Sequence, residues 1–205
     1  MKKFCLVVLL CFGVYPLLAA PLYRAGDPLP REDDFYRWEV SADGVLSSQQ
    51  VCDILCQTTL DGAGGFGLRG IYNVRPWLGL GAEGTYFPAQ SFGLADKYSV
   101  TRAGGMVKFN LSPETSPRAY LLLGAGASRH RFSFRRTPAT LHWKKRQTTI
   151  AYIQMGIGLE TDVWKSVFAG IEGNLLYNRH TSLTPYYRLN KRWDTIIRLR
   201  FGARF

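Results

Sequence analysis

A nucleophile, a base and a carboxylate stand close together near the C-terminal end of this chain. His180-Thr181-Ser182 is followed, twelve residues after the serine, by Asp194. Acyl transfer needs such a set: the serine attacks, the histidine takes its proton, and the carboxylate orients the imidazole. The residue types are half of the requirement. The three side chains must also leave the backbone towards one place. A second reactive pair is Cys52 and Cys56, spaced i, i+4, which matches neither a zinc pattern nor a redox Cys-x-x-Cys. One helical turn would bring their Cα atoms within bridging range, and in an exported chain such a pair is expected to close as a small disulfide. The glycine-rich stretch 62–70 forms no phosphate loop, and no complete dinucleotide fingerprint occurs. Neither a cofactor nor a metal site is expected.

Whether these residues can meet depends on the elements that carry them. The chain has 205 residues, with 26 Lys+Arg against 15 Asp+Glu and 14% aromatics. That is too apolar and aromatic for a disordered tail, and four cysteines are too few for a disulfide-built miniprotein. Lys2 and Lys3 precede an apolar run over 4–18 that ends in Ala19-Ala20, the layout of a secretory signal peptide over 1–20. Cys5 and Cys11 leave with it, and the formal charge falls from +11 to +9. Export removes the nucleic-acid partner that a basic chain would otherwise suggest. Residues 21–33, with Pro21, Pro28 and Pro30, are expected to be a short periplasmic arm.

Residues 34–205 carry a period-two alternation in eight segments: 34–43, 65–74, 77–87, 98–111, 118–128, 149–161, 166–178 and 193–205. In the last one, Trp193, Thr195, Ile197, Leu199, Phe201, Ala203 and Phe205 share one face. Asp194, Ile196, Arg198, Arg200, Gly202 and Arg204 share the other. Each segment is long enough for a tilted strand to cross a bilayer. The connections alternate between long (44–64, 88–97, 129–148, 179–192) and short (75–76, 112–117, 162–165). Aromatics such as Trp38, Trp77, Tyr86, Phe109, Tyr177 and Trp193 lie near segment ends, where interfacial girdles belong. The predicted fold is all-β: an eight-stranded antiparallel transmembrane barrel with up-and-down meander topology.

In this architecture the chain resembles the small eight-stranded outer-membrane barrels of the OmpA transmembrane-domain and OmpX type. The resemblance covers about 34–205 and rests on strand count and loop asymmetry rather than a motif. It implies residence in the outer membrane of a Gram-negative bacterium. It also implies that the terminal aromatic Phe205 serves as the signal for the barrel-assembly machinery. The spacing of His180, Ser182 and Asp194 is similar to that of lipid A 3-O-deacylases of the PagL type, whose pattern is His-x-Ser with a carboxylate twelve residues on. That resemblance implies His180 as base, Ser182 as nucleophile and Asp194 as orienter. Leu183 stands where that family has Asn, and the carboxylate is Asp rather than Glu. The strand phase sends His180 and Ser182, with Glu172, Asn174 and Asn178, and likewise Asp194, to the lumen face, whereas that family's catalytic groups face lipid. The esterase is therefore the alternative, and a non-enzymatic barrel the expectation.

With aliphatic faces towards lipid, the other faces place Arg37, Glu39, Arg69, Glu83, Arg102, Lys108, Glu160, Glu172, Asn174, Arg198, Arg200 and Arg204 in the lumen. Eight strands leave an interior about filled by side chains, and buried charges must pair. A salt-bridged plug is expected, with a narrow pore or small-molecule carrier as the rival. Gly79, Gly81, Gly124, Gly126, Gly156 and Gly158 share the inward phase and are expected to make room for long arginines.

The long loops hold twelve Lys/Arg and three Asp, so they carry the whole +9 excess. The third contributes Arg129, Arg131, Arg135, Arg136, Lys144, Lys145 and Arg146, and the fourth Arg179, Arg188, Lys191 and Arg192. Phe132, Phe134, Trp143, Tyr186 and Tyr187 are interleaved with them. Arginines suit anionic sugar phosphates through bidentate contacts, and aromatic faces suit sugars. The expected partners are outer-membrane lipids and lipopolysaccharide, or an external glycan or protein.

Overall fold

The computed structural model describes residues 35–53, 59–92, 95–113, 116–134, 145–164, 166–185 and 187–205. The signal peptide and arm expected over 1–33 lie outside them, as do Cys56, Arg135, Arg136, Trp143, Lys144 and Tyr186.

Nine strands follow in chain order: β1 (Trp38–Asp53), β2 (Thr59–Arg75), β3 (Leu78–Phe92), β4 (Ala95–Asn110), β5 (Arg118–Ser133), β6 (Lys145–Trp164), β7 (Val167–Asn178), β8 (Tyr187–Leu189) and β9 (Trp193–Arg204). Each of β1 to β6 pairs antiparallel with the next, and β7 pairs with β9. Strand β9 returns to β1, from Glu39↔Arg204 to Ser47↔Ile196, and closes the sheet. The result is a closed eight-stranded antiparallel meander, as the alternation predicts. Short β8 is an addition, paired to the outer end of β1 at Val51↔Leu189. Closure gives ladder partners to strands that would otherwise end at an edge, which a bilayer demands.

The outward faces confirm what the alternation is for. Leu68, Leu123, Ile153, Leu199 and Phe201 are each more than half exposed. They belong to an apolar band that runs around the wall, a surface suited to lipid and costly in water. Aromatic pairs edge the band. Trp38 and Tyr72 lie at the short-turn end with ring centroids 4.9 Å apart. Tyr177 and Trp193 lie at the opposite end, also 4.9 Å apart.

The strands run further outwards than hydropathy predicts. β1 continues past 43 to Asp53, β5 past 128 to Ser133, and β6 begins at Lys145 instead of 149. Period two persists in the added part of β1: Val45, Ser47, Gln49 and Val51 are buried, while Gly44, Leu46 and Ser48 are exposed. Small and polar residues stand on both faces there, so hydropathy reads as loop. The backbone ladder is what extends, through Cys52↔Thr59 and Ser133↔Lys145. Of the four long connections predicted, 179–192 stays long, as does 129–148 in the shortened form 134–144, and Arg129 and Arg131 stand on β5 rather than in a loop.

The lumen has two tiers. The short-turn half is polar, as predicted. The outer half is an apolar core that includes Val51, Phe87, Val100, Ile150, Leu176 and Ile196. Phe132, Phe134 and Tyr187 belong to this core, which corrects their assignment as outward ligand-stacking aromatics. Phe132 stacks on Tyr187 at 5.1 Å and lies 4.7 Å from Tyr98. The reason is the longer β5: its inward phase carries Phe132 to the inside as it carries Arg129 and Arg131 to the outside. A small hairpin over 181–189 closes the top. Leu183 N donates to Tyr187 O at 3.1 Å, and Leu189 N to Thr181 O at 2.7 Å.

The inward glycines make room, but chiefly for tyrosine and amide side chains rather than arginines. A Cβ on Gly126 would lie 2.7 Å from Tyr152 Cζ, and one on Gly158 would land on the Tyr120 ring. Forcing extra atoms into a filled core costs about 1–3 kcal/mol. Gly158→Val is therefore expected to lower the urea midpoint of the folded, heat-modifiable gel band, with Gly158→Ala in between.

Candidate functional site

The polar tier balances its charges. Among the described residues, six cations (Arg69, Arg102, Lys108, Arg198, Arg200, Arg204) and six anions (Glu39, Asp43, Glu83, Glu160, Glu172, Asp194) are buried. Arg69 reaches Glu172 at 2.6 Å and Glu83 at 3.0 Å. Arg198 reaches Glu83 at 3.0 Å and Asp43 at 3.5 Å. Lys108 Nζ sits between Glu39 at 2.8 Å and Glu160 at 2.7 Å. Arg204 meets Glu160 at 2.6 Å, and Arg200 meets it at 3.4 Å. Neutral groups fill the remaining positions. The Tyr120 hydroxyl donates to Glu172 at 2.7 Å and accepts from Arg200 at 2.9 Å, and Gln154 donates to Glu83 at 2.7 Å. A charge pair stripped of water is tolerated when geometry and extra hydrogen bonds repay the desolvation. The ion pairs do so here even though buried donors such as Arg69 Nε and Arg102 Nη1 make no hydrogen bond among the described residues.

Glu39, Arg69, Glu83, Arg102, Glu160, Glu172, Arg198 and Arg200 thus stand where their phase puts them. Arg37 does not. It precedes the first ladder residue, Trp38, has no wall to hold it inwards, and its exposed guanidinium lies 5.9 Å from the Phe35 ring. Sequence reasoning missed Asp43 and Tyr120. Asp43 shares the phase of Glu39, a signal that could have found it. Tyr120 lies in an apolar run where its hydroxyl gives no sign of its partners.

Asp194 forms a pair with Arg102 towards the outer end of the lumen, apart from the bonds that link the other ten charges. Its Oδ2 accepts from Arg102 at 2.8 Å and from Ser47 Oγ at 2.7 Å, and its Oδ1 accepts from Ser48 Oγ at 3.3 Å. His180 and Ser182, expected on the lumen face, are instead exposed at the outer rim, because β7 ends at Asn178 and no ladder continues its parity past that point. There they line a surface hollow of about 270 Å³ together with Thr148, Thr149, Thr181 and Arg192. The spacing of the three residues along the chain is that of an acyl-transfer set, but the β9 phase turns the carboxylate inwards.

The outer wall carries the opposite arrangement, cations without acids. Arg129 and Arg131 are exposed on β5, and Arg129 Nε donates to Gln147 Oε1 on β6 at 3.1 Å. Arg179, Arg188, Lys191 and Arg192 are exposed in the fourth connection, and Arg192 Nη1 donates to Tyr177 Oη at 2.9 Å. Arg146 is half-buried, and Lys145 is placed by its backbone alone. Among the described residues, no Asp or Glu shares this wall between Arg129 and Arg192. Cys52 is buried near the outer end of β1. Phe205 closes the opposite rim, where its N donates to Trp38 O at 3.0 Å and Trp38 N donates back at 2.8 Å.

A closed eight-stranded meander with a lipid-facing belt, a paired interior and aromatic edges is the architecture of the small outer-membrane β-barrels. No family model and no curated protein matches the chain. Among solved structures it is similar to Neisserial surface protein A, with a TM-score of 0.59 at 13% identity over 82% of this chain and 97% of that one. It is similar to OprG of Pseudomonas aeruginosa, with a TM-score of 0.54 at 9% identity over 83% and 96%. It is also similar to Ail, the attachment invasion locus protein of Yersinia pestis, with a TM-score of 0.52 at 17% identity over 83% and 100%. A further Ail structure, at 16% identity, is a complex with the heparin analogue sucrose octasulfate. These likenesses concern the fold.

Removing one partner of a buried ion pair typically costs about 3–5 kcal/mol. Asp194→Asn leaves Arg102 without its carboxylate and is expected to lower stability by an amount in that range. Urea titration of the folded gel band measures it, and a change within error would mean that Asp194 has no structural role.

Proposed function

We propose that the protein is a non-enzymatic surface protein of the outer membrane whose basic wall holds anionic saccharide, first of all neighbouring lipopolysaccharide. The observation that carries this reading is the placement of Arg129, Arg131, Arg179 and Arg192. All four are exposed above the apolar belt, with no acid beside them among the described residues. A phosphate or sulfate approaching from the outer leaflet meets cations there without competing carboxylates, and arginine offers two parallel donors to such a group. The sulfated sugar bound by Ail, a barrel of the same fold, supports the chemistry. An external glycan or protein is a further occupant of the same surface.

The filled lumen favours this role over a pore or a carrier. The commitment of Asp194 to Arg102 favours it over an esterase. Two expectations belong to the same reading: Phe205 as the assembly signal, and a Cys52–Cys56 bridge stiffening the first connection.

The test is binding of the refolded chain to lipopolysaccharide and to heparin over a salt series. Exposed charges contribute about 0.2–1 kcal/mol each. Arg129→Gln/Arg131→Gln/Arg179→Gln together are therefore expected to weaken binding roughly tenfold and to flatten its salt dependence. The acyl pattern of the lipopolysaccharide, followed by mass spectrometry, is expected to stay unchanged. Binding that is indifferent to the triple substitution and to salt would remove the proposal.

A further inference from the structure

The hollow at the end of β7 adjoins the basic wall and shares Arg192 with it, but its polar groups are mostly hydroxyls, with Ile150 in its apolar lining. Thr148, Thr149, Thr181 and Ser182 contribute four hydroxyl groups, His180 an imidazole and Arg192 a guanidinium, in a space of about 270 Å³. Thr148 Oγ1 donates to Leu183 O, so its hydrogen is already committed. Arg192 has five N–H donors, and the Tyr177 hydroxyl takes one of them.

The surroundings add charge of one sign. Thr149 is the ladder partner of Arg129 on β5. Arg179 N donates to Ala151 O at 3.0 Å, which holds that residue at the edge of the same strand. No carboxylate lines the hollow, since Asp194 next to Trp193 is turned into the lumen. The hollow also has a definite height on the barrel. It lies just outside the Tyr177–Trp193 pair, whose rings edge the apolar band. A group resting in it is at headgroup level, where the apolar wall gives way to polar surface.

Hydroxyl side chains exchange hydrogen bonds with sugar hydroxyls, since each both donates and accepts. Arginine and histidine supply charge-assisted bonds to a phosphate. Pockets for drug-sized ligands span roughly 300–1,000 Å³, so this smaller hollow suits a single residue rather than a chain. We infer that it is a binding subsite for one phosphorylated sugar, with Thr149, Thr181 and Ser182 on the sugar and His180 and Arg192 on the phosphate. This rests on the surface reading and deepens it: the wall attracts polyanions in general, and the hollow selects a phosphosugar. His180 and Ser182 thereby acquire a role that needs no carboxylate.

The experiment uses the full chain folded in phosphatidylcholine nanodiscs, with folding of each variant checked by heat-modifiable mobility. The probes are glucosamine 1-phosphate, glucosamine, lipid A with and without its phosphates in the bilayer, and heparin. The hollow variant is His180→Gln/Ser182→Ala, and the wall variant is Arg129→Gln/Arg131→Gln. The wild type is expected to prefer the phosphorylated member of each pair. The hollow variant is expected to lose about tenfold in affinity for it while holding heparin within about twofold. Loss with lipid A alone assigns the site to membrane headgroups, and loss with glucosamine 1-phosphate as well assigns it to sugar phosphates in general. Both outcomes support the inference. Phosphosugar binding unchanged in the hollow variant, with heparin binding still sensitive to the wall variant, would overturn the inference and leave the surface reading standing. Heparin binding insensitive to the wall variant would overturn the surface reading instead.

Discussion

Twelve ionised side chains inside a ring of eight strands impose the constraint from which the rest follows. Such a ring encloses a space that side chains just fill, and a charge left alone there costs several kcal/mol. The solution, among the described residues, is six cations against six anions, each within reach of a partner on another strand. Arg69 on β2 ties β3 and β7 together through Glu83 and Glu172. Lys108 on β4 ties β1 to β6 through Glu39 and Glu160. Arg69 and Glu83 are ladder partners on neighbouring strands, whereas the bonds of Arg69 to Glu172 and of Lys108 to Glu39 and Glu160 join strands that are not neighbours. The inward glycines belong to the same solution, because Tyr120 needs the space over Gly158 to bridge Glu172 and Arg200.

A lumen that sums to zero has a consequence for the surface. The positive excess of the chain has no place inside and none on the lipid belt, so it lies towards the outer rim. The apolar outer tier separates the two regions. Phe132 and Phe134 stack with Tyr187 of the 181–189 hairpin on the outer side of the ionic network. The outer surface is thereby left to arginines and hydroxyls. Their chemistry suits anionic saccharide in general and a phosphosugar at the His180–Ser182 hollow in particular.

Much of this was legible in the residues because a barrel wall between lipid and a packed interior enforces period two. The parity of Arg198 and Arg200 against Leu199 and Phe201 reveals both faces of β9, and eleven of the twelve proposed lumen residues follow from such parity. Strand length was less legible. Beyond the membrane the outward face no longer has to be apolar, so the backbone ladder alone continues β1 and β5, and Gly44 or Ser48 resembles a loop residue. That error moved Phe132 and Phe134 to the wrong side of the wall. Arg37 failed for the converse reason: parity holds only where a ladder exists, and the ladder begins at Trp38. His180, Ser182 and Asp194 show both cases: parity holds for Asp194 on β9, whereas His180 and Ser182 lie past the end of β7, where no ladder fixes their side.

The central claim is that the lumen charges other than Arg102 and Asp194 are energetically one network, and a double-mutant cycle on Arg69 and Glu172 tests it most directly. Urea unfolding of wild type, Arg69→Met, Glu172→Leu and the double variant gives the coupling. Each single change is expected to cost about 3–5 kcal/mol because it strands a buried charge. The double variant is expected to cost at least about 1 kcal/mol less than the sum of the singles, as for residues in direct contact. Costs that add within about 0.5 kcal/mol would contradict the account.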